Sequence, residues 1–310
     1  MNIFNNQKFL IAFKAIIFVL MTWFIVNQLF LKNDIQEQWL VFKQNFKGAN
    51  ILFVIAAVAL MPVNWFLETV KWRWLIRSKV AFQILLKSVV AGITLGFITP
   101  ARSGEFIGRV MFLDDEDKAK VFYLSVVGGI AHTAVTLGAG AFFVAVWSSN
   151  LLWSGIASGA AVAFLLLYFR YDLFNNVISA IPFLERRNFI LHNHQLPELS
   201  TQVKVLAITL LRYCVYILQY ILLQMFFGVS DKFFALMVHN GVFFLIHTFS
   251  PLMPFLDFSF RGGAALYVFK DFSTNNIGVL SAVTGAWVLN LVVPALIGYL
   301  FILKRKKLNV

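Results

Sequence analysis

Charged residues are scarce in this chain, and their scarcity excludes a soluble domain of any size. Only 13% of the 310 residues are charged, whereas 60% are apolar. A soluble domain has about 25% charged and roughly 45–50% apolar residues. Apolar runs recur along the whole chain, and each is long enough to cross a hydrocarbon core of about 30 Å. The composition therefore predicts an all-α polytopic membrane protein.

Cysteine and the familiar catalytic motifs are also nearly absent. The single cysteine, Cys214, excludes a disulfide framework and a cysteine metal site. The sequence has no nucleotide-binding loop, zinc-protease motif or nucleophile elbow, so we expect no cofactor, no metal, no catalytic residue and no enzyme activity. The net charge of +12 lies in short connections beside apolar runs, which favours contact with lipid headgroups over nucleic acid.

Six segments have the length of full spans, and two further apolar segments are interrupted. The first span is predicted to be a retained signal anchor. The interrupted segments contain proline, glycine and charged residues, so each is either an ordinary span followed by a loop or a re-entrant hairpin. The six spans are Phe9–Leu31, Ile51–Val70, Val121–Trp147, Leu151–Phe169, Val205–Phe227 and Ile277–Leu303, and the interrupted segments are Phe82–Leu113 and Phe234–Phe269.

The distribution of basic residues favours the hairpins. Lys14 and Arg212 lie within spans, which leaves 24 basic residues to count. Eight plain spans place 11 of them inside and 13 outside, whereas six spans with two hairpins place 18 inside and 6 outside. Basic residues concentrate on the cytoplasmic side of membrane proteins. We therefore predict a multi-pass protein of the cell (inner) membrane with both termini in the cytoplasm.

This topology makes the second half of the chain an inverted copy of the first. Residues 1–150 and 151–310 each contain two spans, a hairpin and a third span, within a single membrane domain. Inverted repeats with matching interrupted segments are typical of transporters whose site lies near the bilayer midplane. Residues 171–202 are predicted to hold an amphipathic helix in the cytoplasmic interface, and Gly155 and Gly159 a close helix-packing face.

The first hairpin has the pattern of an anion site. Thr99 is expected to cap a helix that starts at Pro100, and Arg102, Glu105 and Arg109 then share one face. The N-terminus of a half-helix within the membrane, together with an arginine, suits a phosphate. The alternative is a structural Arg–Glu–Arg network that locks the hairpin.

The second hairpin has a partial counterpart. Asp257 and Arg261 are spaced to pair along a helix, as part of the site or as an ordinary ion pair in an exposed outer loop. Arg212, within a span, either extends to the interface or serves the site.

Other polar residues have simpler interpretations. Glu68 and Lys71 are expected to set orientation and contact headgroups, with Trp72 as an interfacial anchor. His239 and His247 are expected to serve helix packing.

Two motifs resemble those of a known family. The stretch Lys71–Ile76 (KWRWLI) and the stretch Pro100–Arg109 (PARSGEFIGR) resemble the flippase-like membrane family that includes the transmembrane region of lysylphosphatidylglycerol synthase. The second motif of that family is altered here at Ser250–Gly263, where Asp257 and Arg261 match a variant form. The resemblance covers essentially the whole chain and implies lipid translocation. No soluble aminoacyl-transferase domain follows Lys307, so lysine transfer is not expected.

We therefore predict a flippase-like protein that moves a phospholipid or lipid-linked headgroup between leaflets. The substrate-binding residues are predicted to be Arg102, Glu105, Arg109, Asp257, Arg261 and Arg212. Expected partners are membrane lipids with anionic or zwitterionic headgroups, further copies of the chain or a separate soluble synthase, and no nucleic acid. The alternatives are a membrane-embedded transferase with Glu105 or Asp257 as base, and a non-transporting partner subunit.

Overall fold

All the regular secondary structure in the described part of the protein is helical. The computed structural model describes residues 51–304 with gaps at 78, 100–101, 114–115, 149, 171–196 and 251–256, and also positions 23, 40, 43 and 44. The helices are α1 (Ile51–Ile76), α2 (Phe82–Ile98), α3 (Gly104–Val110), α4 (Lys118–Trp147), α5 (Leu151–Phe169), α6 (Leu199–Phe226), α7 (Phe233–Thr248), α8 (Phe258–Phe269), α9 (Asn276–Trp287) and α10 (Val293–Lys304), with a π-helical segment at Val288–Val292 between the last two.

Several of these helices have the length and composition of membrane spans. They expose large apolar side chains such as Phe142, Leu151 and Leu211, which suits a surface covered by acyl chains. The predicted all-α membrane fold is therefore confirmed for the described residues. The candidate spans are Ile51–Ile76, Lys120–Trp147, Leu151–Phe169, Leu199–Phe226 and Asn276–Lys304.

Some sequence predictions fall outside the described residues. These are the first predicted span at Phe9–Leu31 and most of the amphipathic helix, residues 171–196. The predicted packing face at Gly155 and Gly159 does lie within the described residues. A Cβ atom added to either glycine has nothing within 4 Å, so no described residue packs closely against them.

Helices α1 and α6 pack side by side in opposite directions. Gln219 Nε2 in the second half of α6 donates to Ala57 O near the start of α1, at 2.8 Å. At the other end, Arg77 Nη1 donates to Glu198 Oε1 at 3.1 Å. The end of α1 and the start of α6 therefore lie on one side of the protein, which we call the Arg77 side.

Helices α2 and α3 form the first hairpin and touch through their backbones. A Cβ atom on Gly108 would lie 2.4 Å from Ala91 O, and one on Gly92 would lie 2.9 Å from Glu105 O. Residue numbers rise along one helix as they fall along the other, so the two helices are antiparallel. Only glycine permits this approach.

Both ends of the first hairpin lie on the Arg77 side. Leu85 near the start of α2 and Leu113 just after α3 belong to one apolar cluster. The same cluster contains Ile76 at the end of α1 and Val121 near the start of α4. The chain therefore enters and leaves this hairpin from the same side of the protein.

Helices α7 and α8 form the second hairpin. His247 Nε2, near the end of α7, lies 2.5 Å from Asp257 Oδ2, just before α8. Further along, the rings of His239 and Phe269 lie with centroids 5.2 Å apart. These contacts again require antiparallel helices.

The ends of the second hairpin lie opposite the Arg77 side. Asn275 Nδ2, just before α9, donates to Phe227 O at 2.9 Å and to Gly228 O at 3.1 Å, just after α6. Because α6 starts on the Arg77 side and ends at Phe226, this hairpin starts and finishes on the other side.

The two halves pack on each other reciprocally. Helix α4 packs on α7, where a Cβ on Gly140 would lie 2.8 Å from Leu245 Cβ. Helix α10 packs on α2, where a Cβ on Gly298 would lie 2.4 Å from Val90 O. The last helix of each half thus covers the first hairpin helix of the other half.

The π-helical segment places one amide side chain at the centre of the protein. Pro294 has no amide hydrogen to donate to the Asn290 carbonyl, so the regular hydrogen-bond pattern is interrupted there. Asn290 Nδ2 donates to Gln219 Oε1 at 2.6 Å, which fixes the segment against α6.

Candidate functional site

A cavity of about 750 Å³ lies between the tips of the two hairpins. Its volume lies within the usual range for small-molecule and headgroup sites. All the substrate-binding residues predicted from the sequence line it, together with two charged residues that were given another role. The charged lining residues are Glu68, Lys71, Arg102, Glu105, Arg109, Arg212, Asp257 and Arg261.

Glu68 on α1 is the centre of an ion network within the protein. Its carboxylate lies 2.7 Å from Lys71 Nζ and 2.7 Å from Arg109 Nη2, and it also pairs with Arg212 Nη1. Asn64, one turn before Glu68, accepts a hydrogen bond from Arg212 Nε at 2.8 Å. Glu68, Lys71 and Arg109 are buried, so each charge depends on its partners for the stabilisation that water would provide.

Glu105 extends this network to the cavity surface. Its Oε1 atom accepts from Arg109 Nη2 at 2.7 Å, and its Oε2 atom lies 3.4 Å from Arg102 Nε. The Arg109 guanidinium also lies over the buried Trp72 ring, with Cζ 4.5 Å from the ring centroid. Trp72 is therefore a support for the site, and its prediction as an interfacial anchor is wrong.

Arg102 is the most accessible of the three charged residues of the first hairpin that line the cavity. Its side chain is 45% exposed, whereas that of Arg109 is 4% exposed. Its backbone has φ 57°, in the left-handed region that an arginine rarely occupies. Strain of this kind often persists at functional sites, where it orients a side chain.

The predicted helix start in this hairpin is wrong by four residues. Helix α3 begins at Gly104, and Arg102 precedes it. Thr99 has an extended conformation, as expected for a residue before proline, and its Oγ1 accepts the Gly104 amide at 2.7 Å. The first amide of α3 is thus already hydrogen-bonded, so the predicted phosphate site at the helix N-terminus is not supported.

The second hairpin contributes a smaller cluster around Asp257. Its carboxylate accepts from Arg261 Nη2 at 2.9 Å and from Ser250 Oγ at 2.5 Å, and it contacts His247 as described above. Arg261 Nη1 donates to Tyr220 Oη on α6 at 2.9 Å. Asp257 and Arg261 are buried, so the alternative of an exposed outer loop is wrong.

The two hairpins have matching charge pairs. Glu105 pairs with Arg109 in the first, and Asp257 pairs with Arg261 in the second. Each arginine also reaches the preceding long helix, at Glu68 on α1 and Tyr220 on α6.

One interval relates the members of each matching set. Residues 105 and 257, 109 and 261, and 68 and 220 are each separated by 152 positions. A shared interval between residues with the same contacts indicates a common arrangement in the two halves.

Several residues of the site were not predicted from the sequence. Glu68 and Lys71 were assigned to the interface, His247 to packing, and Tyr220 was not singled out. The 152-residue interval applied to Glu68 would have indicated Tyr220. Glu68 and Lys71 lie within the long apolar helix α1, where a charge is costly unless it has a function or a partner.

This geometry defines a class of protein: a multi-pass α-helical membrane protein with a charged cavity between two helical hairpins. The model of the family described as lysylphosphatidylglycerol synthase TM region matches residues 11–256, so the chain belongs to that family, as its two motifs predicted. No curated protein and no solved structure matches the chain.

Proposed function

We propose that this protein moves a lipid with an anionic, phosphate-containing headgroup between the leaflets of the membrane without changing it covalently. The headgroup occupies the cavity between the hairpins, while the acyl chains remain in the bilayer. Arg102 makes the first contact, since it is the more accessible of the two first-hairpin arginines that line the cavity.

The net charge of the cavity carries this proposal. Among the described residues, five cationic side chains and three carboxylates line it, which gives a net charge of +2 with neutral histidines. An unbalanced charge within a membrane protein is costly, and an anion in the cavity reduces that cost. Arg109 adds a second argument, because its buried Nε and Nη1 atoms have no hydrogen-bond partner among the described residues. A phosphate oxygen would satisfy such donors.

The packing supports a re-entrant, inverted-repeat topology for this transport. Eight plain spans would make α1 and α6 parallel, whereas these helices are antiparallel. Two hairpins that open to opposite sides, with matching charge pairs at their tips, suit a site that faces each leaflet in turn. The transferase alternative is less favoured, because Glu105 and Asp257 are held by arginines and are poorly suited to accept a proton.

Transport by purified protein in liposomes tests the proposal. Fluorescent phosphatidylglycerol should move between leaflets, and mass spectrometry should find the lipid unchanged. Arg102→Ala should slow this movement by about 10- to 100-fold, the range expected for losing a hydrogen bond to a charged group. Arg102→Gly should slow it equally while folding at least as well, because glycine accepts the positive φ. Lipid movement at the rate of protein-free liposomes, or a new lipid species, would refute the proposal.

Glu105→Gln tests whether the cavity charge selects the headgroup. The substitution raises the net charge from +2 to +3, since one of the three carboxylates is lost. We expect the preference for phosphatidylglycerol over phosphatidylethanolamine to increase. Glu116→Gln is the matched control, because Glu116 pairs with Lys120 at 3.0 Å and does not line the cavity. An unchanged preference in folded Glu105→Gln protein would remove Glu105 from the headgroup site.

A further inference from the structure

The two matching charge pairs differ in the second basic residue beside the carboxylate. In the first hairpin, the accessible partner of the carboxylate is Arg102, which remains charged at every physiological pH. In the second hairpin, the corresponding carboxylate Asp257 is held by Arg261 and His247. Histidine gains and loses a proton near neutral pH. The second hairpin therefore combines a permanent charge with an exchangeable one.

His247 has the geometry of a proton carrier. Its Nε2 atom lies 2.5 Å from Asp257 Oδ2, and its side chain is 24% exposed while that of Asp257 is 5% exposed. With Nε2 donating to the carboxylate, Nδ1 is the nitrogen that accepts a proton. The resulting imidazolium is stabilised by a carboxylate that is already fixed in place by Ser250 and Arg261.

We propose that His247 is a proton-binding site and that the protein carries one proton with each monoanionic headgroup. This inference rests on the proposed function. Both ligands occupy one cavity, so the charge of each favours binding of the other, and this coupling is reciprocal. The proton adds to Nδ1 of His247 on one side of the membrane and leaves from the same atom on the other side.

The charges around His247 make its protonation depend on a bound anionic headgroup. Arg261 on α8 and Arg102 from the first hairpin oppose a further positive charge in the cavity, and Arg212 and Tyr213, Tyr216 and Tyr220 of α6 line the same space. On α4, His132 is a second imidazole in this lining. Asp257 alone is already balanced by Arg261. An arriving anion therefore supplies the negative charge that the protonated histidine needs.

Proton coupling determines the direction in which a pH gradient moves the lipid. An anion of charge −1 and a proton together carry no net charge, so membrane potential does not drive them. A pH gradient does, and it moves headgroups towards the side with fewer protons. In a cell whose exterior is more acidic, the lipid moves from the outer to the inner leaflet.

Liposomes of phosphatidylcholine with a trace of fluorescent phosphatidylglycerol test this directly. A gradient of one pH unit should concentrate the probe in the leaflet facing the higher pH, by up to about tenfold, since one unit corresponds to about 1.4 kcal/mol per proton. A potassium gradient with valinomycin should have no such effect. If the probe moves but its distribution between the leaflets does not depend on the pH gradient, the proton coupling is overturned and the proposed function remains intact. No movement in the unaltered protein would overturn both.

Substitutions of two histidines on α7 test whether His247 is the residue that binds the proton. His247→Gln should lose the pH-driven accumulation, and His247→Arg should make binding of short-chain phosphatidylglycerol independent of pH. His239→Gln is the matched control, since His239 lies two turns earlier on α7, stacks on Phe272 and does not line the cavity. Equal loss of accumulation in folded His239→Gln and His247→Gln proteins would overturn the assignment.

Proton uptake on binding gives a readout that does not depend on transport. Short-chain phosphatidylglycerol added to the detergent-purified protein in weak buffer should raise the pH, because the protein takes up protons as it binds the anion. His247→Gln should abolish the rise, and His239→Gln should keep it. A rise of equal size in folded His247→Gln protein would overturn the proposal, as would no rise in unaltered protein that binds the lipid.

Discussion

At the scale of single residues, Glu68 is the carboxylate on which the first half of the site depends. It contacts Lys71, Arg109 and Arg212, which come from three helices. Buried cations without a counter-charge are strongly destabilising. Two of these cations, Lys71 and Arg109, are buried, and Arg212 is partly buried, so Glu68 is a structural requirement as well as a determinant of cavity charge.

Glu68→Gln should destabilise the protein by about 3–5 kcal/mol, because it leaves buried cations uncompensated. Lys71→Met in the same chain should restore part of that loss, since it removes one of the cations. Glu198→Gln is the control: its pair with Arg77 is largely exposed, and such pairs contribute about 0–1 kcal/mol. Thermal unfolding in detergent measures all three, and additive effects of Glu68→Gln and Lys71→Met would contradict the network.

The sequence predicts those residues of the site that are close together in the chain. Arg102, Glu105 and Arg109 were predicted because each lies about one helical turn from the next, a spacing that brings side chains into contact. Glu68 was missed because Arg109 and Arg212, its partners, lie 41 and 144 residues away. Local spacing contains no information about such contacts.

At the scale of helices, the first hairpin depends on glycine at the contact between α2 and α3. Periodicity and proline predicted that this segment is interrupted, but placed the second helix four residues too early. The error arose because proline suits the first turn of a helix, whereas here Thr99 accepts the Gly104 amide and the turn continues through the strained Arg102. The start of α3 is therefore determined by the contacts of the whole turn and not by the preference of proline alone.

Gly108→Ala should separate the hairpin helices. The added Cβ would lie 2.4 Å from Ala91 O, an atom of the backbone that has no rotamer to change. We expect a loss of about 3 kcal/mol or more in stability, at the upper end of overpacking effects. Gly129→Ala is the matched control, because nothing lies within 4 Å of its added Cβ and alanine is the better helix former. Protease resistance and melting temperature should fall for the first variant only.

At the scale of the whole molecule, the distribution of basic residues predicts one topology over the other by a wide margin. Lys71, Arg102, Arg109 and Arg261 were counted as loop residues, although all four line the cavity. Without these four residues, the hairpin topology places 15 basic residues inside and 5 outside, instead of 18 and 6. Eight plain spans then place 10 inside and 10 outside, instead of 11 and 13. The predicted charge bias therefore does not depend on these four cavity residues, and it comes from basic residues in the connections beside the spans.

Single-cysteine labelling distinguishes the two topologies through a pair of neighbouring positions. Lys79, just after α1, and Glu198, just before α6, lie on the Arg77 side, since Arg77 contacts Glu198. Eight plain spans would place these two positions on opposite sides of the membrane. In a Cys214→Ser background, Lys79→Cys and Glu198→Cys should both resist a membrane-impermeant maleimide in intact cells and react after permeabilisation.

Asp271→Cys supplies the positive control for that experiment. Its side chain is 88% exposed and follows α8, at the end of the second hairpin opposite the Arg77 side. It should react in intact cells, as a position outside the cytoplasm. Labelling of Glu198→Cys but not Lys79→Cys in intact cells would contradict the hairpins and the inverted repeat together, because α1 and α6 could then not run in opposite directions across the membrane.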